Sequence, residues 1–196
     1  SIVWVLPPPN CVTCHEAKPS HEQAGKDYTT SIHGASHTLG ASGAANCWDC
    51  HGAHEISPVK QADSPVFKLN LPQTCAKCHS SPGLTKEYQM KFPEAAAQYN
   101  DSIHGRALLK MGLTEAAPSC SSCHGKHDVH PKTDAASATN HANIPTTCGN
   151  CHKGILREWQ DSAHGTLWKA ANGGKKSTEA KGKAENIKGK VKEKMG

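Results

Sequence analysis

All ten cysteines of this 196-residue chain fall into one pattern, Cys-x-x-Cys-His, with none left over. The five copies are Cys11-Val-Thr-Cys14-His15, Cys47-Trp-Asp-Cys50-His51, Cys75-Ala-Lys-Cys78-His79, Cys120-Ser-Ser-Cys123-His124 and Cys148-Gly-Asn-Cys151-His152. Two thiols at this spacing add across the two vinyl groups of one porphyrin, while the adjacent histidine reaches the iron as proximal ligand. A zinc site uses Cys-x-x-Cys pairs without requiring a histidine directly after each, and a disulfide scaffold has no use for that histidine at all. With histidine at 14 of 196 positions, five such coincidences have a chance probability on the order of one in a million. The pattern predicts five covalent haems c, with the ten cysteines as attachment points and His15, His51, His79, His124 and His152 as proximal iron ligands.

Composition agrees with a cofactor-filled interior. Only 36% of the chain is hydrophobic and 5% aromatic, with two phenylalanines, which is thin for a protein-only core. No run of alternating apolar residues is long enough for a sheet, and glycine, proline, serine and asparagine are scattered between the motifs. The expected fold is therefore mostly loop with short α-helices wrapped around a chain of five haems, with little or no β-sheet. Helices are expected on the Cys-x-x-Cys-His segments and near 93–111 and 154–171, where Leu108, Leu109, Leu156, Leu167 and Trp168 would pack against porphyrin faces.

The formal net charge of +5 resides at one end. Residues 173–196 hold eight lysines and three glutamates, which leaves 1–172 balanced. A terminal lysine run of this kind is a solvated tail rather than a nucleic-acid site. Apolar residues at Ala180, Ala184, Ile187, Val191 and Met195 would form one narrow stripe on it if it were helical. At the other end, Ser1–Leu6 is far too short to span a membrane, and the Pro7-Pro8-Pro9 run reads as an extended connector. The organisation expected is an extended segment at 1–10, a pentahaem domain at 11–172 and a lysine-rich tail at 173–196, with no transmembrane segment and no nucleic-acid partner. Because haem attachment takes place outside the cytoplasmic membrane, the chain is expected to be the mature product of a precursor with a cleaved signal peptide.

An internal repeat organises the motifs. Residues 47–79 align without a gap on 120–152, at an offset of 73, matching His51 with His124, Gly52 with Gly125, His54 with His127, Pro72 with Pro145 and Thr74 with Thr147. A second element, an aromatic residue followed by x-x-Ser-x-His-Gly, occurs three times, at Tyr28–Gly34, Tyr99–Gly105 and Trp159–Gly165. Five non-motif histidines lie in these repeated contexts: His33, His104 and His164 after the aromatic residue, His54 and His127 three residues beyond a proximal histidine. Five irons thus meet five distal candidates, which predicts bis-histidine ligation throughout and no vacant position. His54 and His127 are too close to the preceding motif to cap its own haem and are expected to reach a neighbouring one. His21, His37, His130 and His141 have no repeat counterpart and are assigned to the surface, with His37 and His141 as first replacements. Met90, Met111 and Met195 are likewise assigned to packing or surface.

Across about residues 11–170, this motif set resembles the multihaem c-type cytochromes with paired Cys-x-x-Cys-His motifs. That resemblance implies bis-histidine haems in a row, with parallel and T-shaped contacts alternating and electrons passing along it. It is similar in particular to the subunits of extracellular cytochrome filaments, in which one iron takes a histidine from the next subunit, and also to soluble periplasmic pentahaem carriers that feed a reductase. The expected function is electron transfer rather than catalysis, as a homo-oligomer or filament with redox protein partners at the cell surface. A periplasmic shuttle is the alternative. A haem enzyme with one open iron would need a motif lacking its histidine or a distal candidate that fails to bind.

Overall fold

A computed structural model describes residues 11–15 and 19–172. The extended segment expected at 1–10 and the tail expected at 173–196 lie outside the described residues. Among those described the chain is helix and loop without a strand. The helices are α1 (Cys11–His15), α2 (Pro19–Thr30), α3 (Ile32–Thr38), α4 (Cys47–His51), α5 (Leu71–His79), α6 (Pro82–Glu87), α7 (Ala95–Asp101), α8 (Ile103–Leu109), α9 (Cys120–His124), α10 (Ile144–Gly149), α11 (Lys153–Asp161) and α12 (Ala163–Asn172). No described helix is long and apolar enough to cross a membrane.

Four of the five motifs coincide with helix ends. α1, α4, α5 and α9 each stop on the motif histidine, whereas the fifth motif starts in α10 and finishes in the turn behind it. The one-turn helices α4 and α9 are held by capping boxes at Asn46 and Ser119, which satisfy backbone donors that so short a helix leaves open. Gly52 and Gly125 follow at φ 84° and 86°, a left-handed conformation that reverses the chain immediately after the histidine.

The two helices expected near 93–111 and 154–171 are each split, and the aromatic-Ser-His-Gly element is the reason. Ser31, Ser102 and Ser162 adopt extended backbone (ψ 165°, 163° and 164°), which breaks the preceding helix. Each serine hydroxyl donates back to the carbonyl of the aromatic residue, at 2.6–2.7 Å. The same oxygen accepts from the glycine N–H three residues on, at 3.0–3.2 Å, and so caps the next helix. The glycine is required by close approach, because a Cβ at Gly34, Gly105 or Gly165 would lie 2.0–2.1 Å from the carbonyl oxygen of Tyr28, Tyr99 or Trp159. Gly105→Ala is expected to lower stability by about 1–3 kcal/mol, the usual range for overpacking, measured by thermal unfolding. Gly40→Ala meets no neighbouring atom and strains only a positive φ, so it should cost less.

The sequence repeat is also a repeat of hydrogen bonds. Asn70 donates to the carbonyls of Ala62 and Ser64, and Asn143 does the same to Ala135 and Ser137. Thr74 donates to Pro65, and Thr147 to Ala138, both at 2.7 Å. Tyr28 and Tyr99 each tie a helix to the loop ahead of the next motif, through the carbonyls of Ala45 and Pro118. These bonds fold each two-motif unit alike. A backbone bond from Ile32 N–H to the Val129 carbonyl, 2.8 Å, then draws the second unit back onto the first.

Little apolar side chain is buried by this arrangement. Among the described residues only Ala41, Leu108 and Ala117 make up a buried hydrophobic core, outnumbered by buried serine, threonine and asparagine. Ile103, Met111, Ile155 and Leu167 stay more than 60% exposed. Among the described residues the large apolar side chains are mostly half-buried or exposed, with Leu108 the one that is fully buried.

Candidate metal centres

The motif histidines are brought to other histidines in twos. His79 on α5 faces His33 on α3, with ring centres 6.2 Å apart and planes at 72°. His51 on α4 faces His127, 6.0 Å and 20°, and His152 faces His104 on α8, 6.0 Å and 38°. Two metal–nitrogen bonds of about 2.0 Å, extended by roughly 1 Å from each nitrogen to its ring centre, give about 6 Å. All three separations therefore match a pair of imidazoles on opposite sides of one metal ion. Among the described residues no three His, Cys, Asp or Glu side chains converge as a protein-only metal cage requires.

Local structure explains the three pairings. His33 and His104 stand on the first turn behind the serine cap, where the glycine contact fixes the angle between consecutive helices and so the direction of the imidazole. His127 is reached across a sequence separation of 76 residues from His51, and the Ile32–Val129 backbone bond two residues away holds its segment in place. Partial burial pushes His33, His51, His79, His124 and His127 below the usual imidazole range, with like-charge repulsion from a facing or neighbouring imidazole adding to it at His33, His51 and His79. Such groups are held in the neutral form that metal coordination needs.

Two motif histidines differ. His15 touches His21, ring centres 4.8 Å apart, one ring N–H donating to the other ring nitrogen at 2.8 Å. The rings are in contact, too close to hold an ion between them. The residue pattern placed His21 on the surface, and only its nearness in sequence to His15 could have singled it out. His124 forms no ring pairing among the described residues, although His79 lies within electrostatic reach of it. The sequence candidates His54 and His164 are both exposed and are not brought to a motif histidine. Of the remainder, His37 pairs its Nε2 with the Asn46 amide, and His130 lies 3.7 Å from Asp134.

Consecutive motifs lie within electrostatic reach of one another in chain order. The Cys47 thiol hydrogen-bonds Cys11, and burial together with that neighbour pushes it up to about 11. Cys50 is in electrostatic reach of Cys78, Cys75 hydrogen-bonds Cys120, and Cys123 is in reach of Cys148 and Cys151. His51 likewise senses His15, and His79 senses His124. None of the nine cysteines with described side chains is in a disulfide. The fifth motif opens into a cavity of about 340 Å³, within the range of cofactor sites, lined by Cys148 and His152 together with Ile144, Leu156, Trp159 and Trp168. Trp168 has its indole Nε1 buried without a hydrogen-bond partner.

No protein-family model, curated protein or solved structure matches the chain.

Proposed function

We propose that the chain is an electron-transfer protein carrying five haems c, attached through the Cys-x-x-Cys pairs and ligated on one side by His15, His51, His79, His124 and His152. The observation that carries this reading is the spacing of His33 with His79, His51 with His127 and His104 with His152, at 6.0–6.2 Å. Each pair has room for one iron and, being only two protein ligands, leaves the equatorial plane to a porphyrin. The apolar cavity around Cys148 and His152 fits one face of such a group, and the unpartnered Trp168 donor is a place for an acceptor on it. A haem with two axial histidines changes its structure little between ferric and ferrous states, which suits it to passing electrons. This chain's residues hold the groups in line, exclude water from their faces and keep the axial imidazoles neutral.

The order in which the motifs neighbour one another, first to second through fourth to fifth, would set five haems in an unbranched row with its ends at the first and fifth. The filament reading is preferred over the periplasmic shuttle for what stands at the end of that row. At the fifth-motif end, His164 is unpaired and Leu167, three residues on, is 69% exposed, a pair suited to docking on a neighbouring copy at the cell surface. Purified from cells that attach haem, the protein should give five haems per chain by pyridine haemochrome and intact mass. Electron cryo-microscopy should then show polymers with haem rows continuous across subunit boundaries. A chain without haem sinks the whole reading, and dispersed monomers leave the shuttle.

A further inference from the structure

The cap on the second motif is tied to a histidine that the five-haem reading leaves unused. α4 begins behind Asn46, which is buried and closes a capping box with Asp49. The Asn46 side-chain carbonyl accepts from the Cys47 N–H at 2.7 Å, and its backbone N–H donates to the Asp49 carboxylate at 2.7 Å. With the carbonyl committed, the amide NH2 is the half turned to α3, where it meets His37 Nε2 at 2.8 Å. An NH2 group only donates, so this Nε2 must accept, and the ring must be neutral with its proton on Nδ1. A protonated imidazole has no acceptor, and two donors would then face each other. Turning the Asn46 amide over offers no escape, because its NH2 would then meet the Cys47 N–H.

The surroundings leave His37 able to take that proton. The ring is exposed and stands in the last turn of α3, where the carbonyl end of a helix favours a cation. The titratable groups of α2, which packs on α3, are engaged elsewhere: His21 with His15, Glu22 with Lys26, Asp27 with Gln23 and toward His127, Tyr28 with the Ala45 carbonyl. Asp49 on α4 is held by the Asn46 N–H. The second unit is built differently. Four residues past His104, as His37 stands four past His33, α8 has Leu108, which is fully buried, and α9 is capped by Ser119. One unit therefore sets a titratable ring where the other sets an apolar side chain.

We infer that His37 is a positioning residue for the second motif and a proton-sensitive latch on it: neutral, it holds the Asn46 cap on Cys47, and protonated, it releases that cap. The hydrogen bonds are the chain's own; that the latch steers the second haem, through Cys47, Cys50 and His51 on α4, rests on the five-haem reading. Acid thus loosens the second motif and leaves the fourth as it was.

The test uses the intact holoprotein, with haem content counted first. Backbone hydrogen exchange, corrected for its intrinsic pH dependence, is compared for peptides covering 44–51 and 117–124 at about pH 8 and about pH 5, on either side of the range in which imidazoles change charge. The protection belongs to the neutral ring, so it is present at the higher pH and lost as the pH falls. Protection of 44–51 should drop roughly tenfold on acidification, the effect of losing a cap, while 117–124 changes little. His37→Gln, whose amide carbonyl accepts at every pH, should show no drop, and His37→Leu should show the acid level of protection at both. In the oxidised protein the low-spin resonance of about one fifth of the iron should shift with the same pH step in the wild type and stay in place in His37→Gln. Equal protection of 44–51 at both pH values, or a drop in His37→Gln as large as in the wild type, overturns the latch. So does wild-type protection in His37→Leu at the higher pH. A drop in protection without the resonance shift removes the steering of the haem alone. A chain without haem fails the earlier reading, and the exchange comparison then decides the latch by itself.

Discussion

Produced where haem is not attached, the chain is expected to lose its fold entirely: a coil-like far-ultraviolet circular dichroism spectrum and no cooperative melt, against a helical, cooperatively unfolding five-haem form. The physical ground is the size of the core. Leu108 is the one large hydrophobic side chain fully buried among the described residues, and burying it is worth about 1.5–3 kcal/mol. Ordering each residue costs about 1–2 kcal/mol of backbone entropy. Helical propensity cannot make up the difference, because isolated helices shorter than about 12–15 residues are marginal in water, and the longest here has 12. Serine caps and side-chain-to-backbone bonds give each unit its shape but contribute only about 0.5–1.5 kcal/mol apiece. The missing stabilisation has to come from what Ile103, Ile144, Ile155 and Leu167 would cover if porphyrins lay against them. A haem-free chain that melts cooperatively with full helix content would show that protein contacts suffice and would remove the argument that the cofactors are the core.

The helical, sheet-free character was legible in the sequence because the absence of period-two patterning is a local property. The placement of His33 and His104 was legible for a related reason: the serine cap and the glycine that must approach the aromatic carbonyl form a local machine that recurs with the histidine in it. What the sequence did not disclose was the break that this machine puts into two helices, since serine and glycine inside an otherwise helical stretch read as weak helix formers until the cap geometry is seen. Pairing His127 with His51 needed a contact across 76 residues, and no local signal carries that; the repeat supplied the residue type, the fold supplied the partner. Counting five candidates against five irons treated the repeated histidines as one closed set. The structure faces His33, His104 and His127 with motif histidines other than those nearest to them in sequence, and among the described residues it brings neither His54 nor His164 to a motif histidine.

Replacing Cys75 and Cys78 by alanine should do more damage than removing any other attachment pair. The third motif lies mid-row on α5, which packs against α4, α6, α7 and α9, and Cys75 reaches Cys120 while Cys50 is in reach of Cys78. On the five-haem reading, loss of the haem between these neighbours would remove packing surface from both sides and would leave His33 without an iron to share with His79. Destabilisation beyond about 4 kcal/mol, the range in which loss of a bound metal or cofactor belongs, is expected from thermal unfolding of the four-haem protein. Cys148→Ala with Cys151→Ala, at the end of the row, provides the comparison: it also leaves four haems, but in an unbroken line. After pulsed reduction, the end variant and the wild type should both re-equilibrate electrons among their haems in a single fast phase. The mid-row variant should split into a fast phase within each remaining pair and a much slower one across the gap. Equal kinetics in the two variants would mean that electrons have a route past the third motif, and the haems would then form a cluster rather than a row.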